Sequence, residues 1–374
     1  MELDTLTAGD CAARRASFGA ERLADVQAVV LAFAEARRLE EPLYEAALRA
    51  VLRRARAVDG ASKMGSEEAV EHRETQWGCT EPRVLLDQPN LSVLWKPPGW
   101  TVSVGNTDDE DLSELQLRPS TSSAGPPSFS MQEWVVGHLG PRHAIACDAA
   151  AQYGLLHRLD RQTSGALLCA KTYGGYHEAQ LQFAAHRVRK EYVCLCHSRL
   201  TDGPRLISTP LRMETSVEGR LRARRSVPAL RQGEGGRPAR TEVRHVEWLV
   251  SGDGERLSLA ELQLHTGRMH QIRAHLGSEG CPLVNDLAYG GYVRPWCPRI
   301  FLHASRVRIV VDGEAIDVRS TLPADLHSAL STLETLPGQQ ALLSARWLEG
   351  DQWAGQVMAS AQTGGCRLAR RQKK

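Results

Sequence analysis

A carboxylate flanked by arginines stands where a polar segment meets an apolar run. Residues 157–165 read HRLDRQTSG, and the run 165–171 has the character of a strand. A turn that enters a strand can project Asp160 into a cleft, where a carboxylate that stays ionised is capable of covalent catalysis. The alternative is an Asx-type turn, in which Asp160 only accepts backbone hydrogen bonds. This segment by itself leaves both interpretations open.

A second polar segment combines cationic and imidazole side chains. Residues 266–276 read TGRMHQIRAHL and are predicted to run from a strand through Gly267 into a helix. Its donors then lie near a helix N-terminus, where anions are favoured. His265, His270 and His275 are spaced by five, unlike the i, i+4 pairs of helical zinc sites, so no metal site is predicted.

Two shorter segments each have a structural and a functional interpretation. Residues 190–192 read KEY and open a strand-like run, in which Tyr192 is either a core aromatic or a ring placed against a substrate base. Residues 94–100 read LWKPPGW and end a strand in a Pro-Gly turn, which taken alone is a structural turn.

Several strands with few interposed helices must position these segments. Strand-like runs occupy 84–96, 165–171, 192–197, 241–250 and 257–264, and helical runs occupy 176–185 and 269–278. This order predicts an α+β fold with mainly antiparallel pairing, not a doubly wound parallel sheet.

The flanking regions differ in character from this central part. Leu23, Val26, Val30 and Phe33 recur at helical spacing, and residues 1–59 are predicted to contain a helical hairpin. A polar linker is expected at 60–81, the catalytic domain at 82–325 and a disordered insertion at about 105–130. Residues 326–374 are expected to form a C-terminal helix and a basic tail.

Composition limits the class of protein. The net charge is +2, so any electrostatic footprint for nucleic acid must be local. Apolar stretches are shorter than the ~20 residues of a membrane-spanning helix, and the first twenty residues have no apolar leader core. The nine cysteines lack a C-x-x-C half-site. We therefore expect a soluble intracellular protein with free thiols, in a compartment that the composition leaves open.

Taken together, these segments resemble the RluA-type pseudouridine synthases over residues 82–312. HRLDRQTSG is similar to the family's H-R-L-D-x-x-T-S-G motif, and TGRMHQIRAHL to T-G-R-x-H-Q-I-R-x-H-L. LWKPPGW and KEY are similar to the early K-P-x-G turn and the K-x-Y strand, in the family's order. One departure is Asn285, which replaces the first Gly of Gly-Asp-x-x-Tyr-Gly. It is expected to alter a turn without touching the nucleophile.

The resemblance implies a pseudouridine synthase catalytic fold with a central cleft, preceded here by a small helical region. It also implies an enzyme that isomerises specific uridines in RNA without a cofactor or a metal. Asp160 matches the nucleophile, and Arg273 matches its salt-bridge partner, with Arg268 in the same motif as the competing candidate. An opposite charge at this range keeps a carboxylate ionised. Tyr192 matches the residue that stacks on uracil, while a role of its hydroxyl at the C5 proton stays open.

The target base must leave its stack before it can react. Arg158 resembles the residue that fills the vacated space, for which a planar guanidinium is well suited. Other motif residues expected to contact RNA are His157, Thr163, Lys190, Arg268, His270 and Gln271. A cationic track for the phosphates is predicted from Arg187, Arg189, Lys190, Arg220, Arg222, Arg224 and Arg225.

The expected partner is a structured RNA with a uridine in a stem-loop, whether ribosomal, transfer or another RNA. No membrane partner is predicted, and a monomer is the default expectation. One alternative is a catalytically inactive RNA-binding protein of the same fold. Another is an adaptor whose N-terminal helices dock a partner protein. A serine hydrolase is disfavoured because the sequence contains no G-x-S-x-G elbow.

Overall fold

A computed structural model describes residues 23–61, 81–102, 129–218, 221–231, 233–336 and 341–349 of the chain. Most of the predicted linker at 60–81 and most of the insertion at 105–130 lie outside the described residues. The basic tail and Arg220 of the predicted RNA track also lie outside them.

A large mixed sheet organises the described part of the chain. Its order is β1-β2-β3-β10-β4-β9-β8-β12, with β11 paired to β10 and β5 paired to β8. The strands are β1 (Arg83–Asp87), β2 (Leu91–Lys96), β3 (Ser164–Ala170), β4 (Arg189–His197), β5 (Arg205–Ile207), β8 (Thr241–Val250), β9 (Arg256–Leu264), β10 (Leu302–Val311), β11 (Glu314–Arg319) and β12 (Glu334–Thr335). A separate hairpin contains β6 (Leu211–Glu218) and β7 (Leu221–Pro228).

Antiparallel pairing dominates this sheet. Within the described residues β3 and β10 pair in parallel, and the other pairings between its strands are antiparallel. The helices are α1 (Leu23–Glu35), α2 (Glu41–Ala61), α3 (Met131–Leu139), α4 (Tyr173–Ala184), α5 (Gln271–Ser278), α6 (Ala324–Ser331) and α7 (Leu343–Leu348). The predicted α+β fold with a mainly antiparallel mixed sheet is confirmed.

The burial of each strand follows from its sequence. Every residue of β2 and β3 is buried, as expected for strands covered on both faces. Two predicted boundaries were wrong. The strand-like run at 84–96 is two strands joined at 88–90, and the helical run at 269–278 begins at Gln271. His270, at the start of that helix, has a left-handed φ of +49°, which a helical residue does not adopt.

The N-terminal helices α1 and α2 pack against α4. Val26, Val30, Ala47 and Val51 form a buried cluster with Leu181. The Asp59 carboxylate accepts hydrogen bonds at 2.8 and 2.9 Å from the backbone N–H groups of Tyr173 and Gly174 in the first turn of α4. A carboxylate at this end of a helix is favourable. The hairpin is therefore fixed to the sheet domain, and its apolar face is already covered.

The C-terminal helices α6 and α7 cover the far end of the sheet. Leu326, Leu330 and Leu343 are buried with the β9 residues Leu257 and Leu259. Helix α7 starts where Glu247 on β8 accepts hydrogen bonds from backbone N–H groups of Leu343 (2.6 Å) and Ser344 (3.1 Å). None of the described helices has the length and apolar character needed to cross a bilayer.

Candidate active site

Asp160 lies in a tight turn at the edge of a cleft of about 420 Å³. The turn is closed by a hydrogen bond from the backbone N–H of Thr163 to the Asp160 carbonyl oxygen (3.0 Å). The carboxylate itself is 16% exposed, so it reaches the cleft while its surroundings exclude most water. Nine of the ten predicted site residues line this cleft: Asp160, Tyr192, Arg158, His157, Thr163, Arg268, His270, Gln271 and Lys190.

A buried lysine from the early turn motif holds the turn 160–163, the candidate catalytic turn. Lys96 is fully buried, and its ammonium donates to the carbonyl oxygens of Pro97 (2.9 Å), Arg161 (3.0 Å) and Thr163 (2.7 Å). The backbone N–H of Gly99 also donates to the Arg161 carbonyl at 2.8 Å. The segment 94–100, a structural turn when taken alone, therefore positions the backbone on which Asp160 lies.

Replacing Lys96 with methionine should lower kcat by about tenfold to a hundredfold, because a nucleophile misplaced by about 1 Å loses that much rate. Lys171→Met is a matched control. Lys171 is a similarly buried lysine, but its partner is Asp87 (2.7 Å), outside the catalytic turn. Single-turnover rates are compared at a temperature where both variants are folded. Equal rates for the two variants would remove Lys96 from the positioning of Asp160.

Arg273 is the cation that faces Asp160. Its Nη1 lies 3.6 Å from Asp160 Oδ2, which is ion-pair range, while its Nε and Nη2 donate to the two oxygens of Asp286 at 2.9 Å each. Arg273 is 2% exposed and Asp286 is fully buried. Asp286 thus orients the guanidinium so that its third nitrogen points toward the nucleophile candidate.

The competing candidate Arg268 makes other contacts. Its Nε donates to the Pro238 carbonyl oxygen (2.9 Å), and its Nη2 lies 3.8 Å from Glu35 of α1. The structure therefore brings Arg273, and not Arg268, into ion-pair range of Asp160.

The segment with the atypical Asn285 contributes two site residues that the sequence-based site list omitted. Asn285 has a left-handed φ of +66°, a conformation that Asn tolerates better than most residues, so it replaces Gly without loss of the turn. The next residue is Asp286, the partner of Arg273. Tyr289 lies with its ring 5.0 Å from the Arg273 guanidinium, and its hydroxyl is 3.0 Å from His270 Nδ1. The D-x-x-Y-G pattern of the segment is the signal that pointed to them.

Tyr192 lies on β4 with its ring buried in the cleft wall. Burial raises the pKa of its phenol well above the usual range, and the negative charge of Asp160 raises it further. The phenol is therefore protonated at neutral pH. A protonated, buried ring that faces an open cleft is suited to stack on a base.

Gln271 stabilises the loop between β9 and α5 through its side-chain amide. Its Oε1 accepts from the Thr266 hydroxyl (2.7 Å) and the Arg268 N–H (3.0 Å), and its Nε2 donates to the Arg240 carbonyl and the Thr241 hydroxyl (3.0 Å each). These bonds occupy both ends of the amide. Its predicted role in binding RNA stays untested, and the contacts give it a positioning role.

The floor of the cleft is formed by neutral and cationic side chains. His157 Nε2 accepts from the backbone N–H of Leu168 (3.0 Å), and burial lowers its pKa to about 3, so the ring is neutral. Burial and the nearby Arg268 lower the pKa of Lys190 to about 8. The Nε of Arg158 is buried and makes no hydrogen bond within the described residues.

Two arginines predicted for the RNA track make ion pairs within the described residues, and their predicted contact with RNA stays untested. Arg187 makes a bidentate pair with Glu41 of α2 (2.5 and 3.2 Å) and lies 3.6 Å over the Tyr44 ring. Arg189 pairs with Glu191 at 2.7 Å on the sheet face opposite Lys190 and Tyr192. Side chains alternate between faces along a strand, so Arg189 points away from the cleft.

The β6–β7 hairpin continues the cationic surface on the other side of the cleft. A groove of about 500 Å³ is lined by Arg212, Arg224, Arg237 and Arg268, so it joins the hairpin to the loop before α5. Arg225 instead pairs with Glu214 across the hairpin (2.8 Å). The side chain of Arg222 lies outside the described residues.

No group of three or more His, Cys, Asp or Glu side chains among the described residues is arranged to hold a metal ion. The three histidines of the second motif have separate partners. His265 contacts Glu242 (2.8 Å), His270 contacts Tyr289, and His275 contacts Thr241 (2.9 Å).

Comparison with known proteins points to one family. A family model described as RNA pseudouridylate synthase matches residues 90–278. An uncharacterized RNA pseudouridine synthase of Bacillus subtilis is 34% identical over 225 residues, covering 60% of this chain and 70% of that protein. The ribosomal large subunit pseudouridine synthase D of Nitrosomonas europaea is 32% identical over 268 residues. This match covers 68% of this chain and 66% of that protein.

One further relative and one solved structure match over part of the chain. The chain spans 54% of the ribosomal large subunit pseudouridine synthase C of Rickettsia prowazekii, at 30% identity. Among solved structures, human RNA pseudouridylate synthase domain containing 1 is 26% identical, with a TM-score of 0.49, covering 70% of this chain and 91% of that one. The matched region contains Asp160, Tyr192 and Arg273 but not the helices α1 and α2.

Proposed function

Because this chain belongs to the RNA pseudouridylate synthase family and is an RNA pseudouridine synthase, we propose that Asp160 is its nucleophile and ribosomal RNA its substrate. The reaction breaks the bond between uracil N1 and the ribose, turns the base over and joins it again through C5. It needs a carboxylate at the sugar and a pocket that holds the detached base.

The observation that carries the proposal is the ion pair of Asp160 with a buried arginine. Arg273 lies 3.6 Å from the carboxylate and is itself fixed by Asp286. The positive charge of Arg273 at this distance attracts the Asp160 carboxylate. An ionised carboxylate at the sugar either bonds to the carbon that N1 leaves or compensates the positive charge that develops there.

Tyr192 and Arg158 have complementary roles in this scheme. The Tyr192 ring lines the same cleft as Asp160, and it holds the detached uracil by stacking. Arg158 enters the space that the flipped base leaves, where its planar guanidinium stacks on neighbouring bases. Neither role requires a group other than the side chains of the cleft.

The names of the relatives are the reason for proposing ribosomal RNA as the substrate. Two of them are named large subunit pseudouridine synthases, and they are 32% and 30% identical to this chain. The basic groove of about 500 Å³ beside the cleft is suited to the phosphates of a folded RNA. Transfer RNA or another structured RNA is the alternative that the experiment distinguishes.

The test is carbodiimide-based pseudouridine mapping of total RNA from cells with and without the protein, rescued by the wild type or by Asp160→Ala. We expect ribosomal RNA sites that disappear with the protein and return only with the wild type. Sites confined to other RNAs would overturn the ribosomal assignment. Sites restored equally by Asp160→Ala would overturn the nucleophile, and RNA binding without any changed site would favour an inactive binding protein.

The N-terminal helix α1 borders the catalytic cleft, which suggests a second experiment. Leu31 lines the cleft, and Glu35 lies 3.8 Å from the Arg268 guanidinium. A carboxylate there competes with RNA phosphate for Arg268. Glu35→Gln should therefore tighten RNA binding, by up to about fivefold for a partly exposed pair. RNA affinity is measured by fluorescence anisotropy.

The matched control for Glu35→Gln is Glu45→Gln, which removes a carboxylate paired with Arg49 along α2 at 3.7 Å. That variant should leave RNA affinity unchanged. Weaker or unchanged binding by Glu35→Gln would show that the Glu35 carboxylate does not compete with phosphate.

RNA affinity should fall as the pH rises from about 7 to about 9, because the buried Lys190 loses its charge near its pKa of about 8. The loss of one phosphate contact should reduce the slope of log K against log salt by about 0.7–0.9.

The lowered pKa of Lys190 has the opposite effect on the stability of the fold. The pKa is lower in the folded than in the unfolded chain, so unfolding free energy rises between about pH 8 and about pH 10.

Anisotropy titrations at two salt concentrations and both pH values check this prediction. Lys190→Gln should bind RNA with an affinity that no longer depends on pH in this range. An unaltered pH dependence in that variant would assign the effect to another group of the cleft.

A further inference from the structure

A second cavity lies on the opposite face of the sheet from the catalytic cleft. It measures about 190 Å³, and its walls come from β4, β8, β9, β10, the segment after β11 and helix α7. On β4 the residues alternate. Lys190 lines the catalytic cleft, Arg189 and Glu191 line this cavity, and Tyr192 borders both. We refer to it as the back pocket.

The back pocket carries an excess of positive charge. Its lining contains five arginines, Arg189, Arg244, Arg306, Arg319 and Arg346, and two glutamates, Glu191 and Glu261. One further carboxylate, Asp317, pairs with Arg306 at 2.6 Å. Five guanidiniums thus face three carboxylates, so two positive charges are in excess among these residues.

The carboxylates are already occupied by the arginines around them. Glu191 lies 2.7 Å from Arg189, 3.3 Å from Arg244 and 3.3 Å from Arg306. Glu261 pairs with Arg346 and accepts from the Trp347 indole N–H at 3.1 Å. The acids therefore fix the guanidiniums in place. They do not use every donor of these arginines, because one guanidinium has five N–H groups.

Arg319 lines the pocket with an exposed side chain. Partial burial and the positive charge of Arg306 lower its pKa, and the carboxylates of Asp317 and Glu191 oppose that shift. An exposed guanidinium that lies among other guanidiniums can reach an anionic ligand from the solvent. Guanidinium groups bind phosphate through two parallel hydrogen bonds, which makes a phosphate the best-matched anion.

The remaining walls are suited to the rest of a nucleotide. Ser305, Ser320 and Thr321 provide hydroxyl groups, and the half-buried Trp347 provides an aromatic face. Stacking on an aromatic side chain favours the binding of a base. An inorganic anion would use the arginines but not the indole.

We propose that the back pocket binds one nucleotide unit, with its phosphate held by Arg319 and Arg346 and its base placed against Trp347. The unit comes either from a free nucleotide or from RNA that passes around the sheet. The proposal is independent of the role of Asp160. It also gives a function to α7, which lies outside the part of the chain that the family model matches.

The experiment is calorimetric titration of the full chain with AMP and, separately, with a short 5′-phosphorylated single-stranded RNA. Arg319→Gln and Trp347→Leu should each weaken AMP binding by about tenfold or more. Arg142→Gln, at an exposed arginine after α3, is the control and should bind AMP normally. Thermal unfolding of each variant verifies that it is folded.

The two sources give different results, and both support the pocket. A free-nucleotide site binds AMP equally with and without the RNA. An RNA-unit site loses RNA affinity in Arg319→Gln, and AMP competes with the RNA. The proposal is overturned if Arg319→Gln and Trp347→Leu leave both affinities unchanged, or if AMP binding is lost instead in Arg158→Gln, which would place the nucleotide in the catalytic cleft.

Discussion

Replacing Asp160 with alanine should abolish pseudouridine formation, by at least about a thousandfold in single-turnover rate, while RNA affinity changes by less than about threefold. The carboxylate is the acidic group that lies 3.6 Å from Arg273 at the cleft edge, and no motif residue replaces its chemistry. Binding depends mainly on the cationic groups of the cleft and groove. The rate is measured by tritium release from RNA labelled at uracil C5.

Two further variants sharpen the Asp160 experiment. Asp160→Asn keeps the shape of the side chain but removes its charge and nucleophilicity, so it should be as inactive as the alanine variant. Asp202→Ala removes an exposed carboxylate from a loop and should react at the normal rate. Appreciable turnover by Asp160→Asn would assign the chemistry to another group.

Replacing Asp286 with alanine should lower the unfolding free energy by about 3–5 kcal/mol, because it leaves the buried Arg273 charge without its main partner. Asp286 is fully buried, Arg273 is 2% exposed, and the two hydrogen bonds between them are 2.9 Å long. After the substitution the nearest carboxylate is Asp160 at 3.6 Å. Denaturant unfolding of wild type and variant measures the loss.

The matched control is Glu41→Ala. Glu41 pairs with Arg187 at 2.5 Å, but the two side chains are 63% and 36% exposed, so its loss should cost about 1 kcal/mol or less. A double variant, Arg273→Met with Asp286→Leu, removes both charges and should be more stable than Asp286→Ala alone. A loss below about 1 kcal/mol in Asp286→Ala would show that water compensates the Arg273 charge.

Much of the fold followed from local patterns in the sequence. Alternating and continuous apolar runs predicted β3, β4, β8 and β9 and one run over β1 and β2, because burial of a strand depends on the period of its own side chains. The strands β5, β10, β11 and β12 were not predicted. The two long motifs also selected the residues of the cleft. Nine of the ten predicted site residues line it. The tenth, Arg273, does not line the cleft but lies 3.6 Å from the Asp160 carboxylate.

Only the tertiary structure decided which charged side chains form ion pairs and hydrogen bonds with each other. Arg187 looked like a phosphate contact but pairs with Glu41, 146 positions away in the chain. Lys96 binds the carbonyls of the catalytic turn, and Asp286 rather than Asp160 is the main partner of Arg273. Electrostatic interactions depend on distance and on the exclusion of water, and both are set by packing between distant segments. The sequence alone therefore determined the chemistry that is present, and the tertiary structure decided how it is oriented.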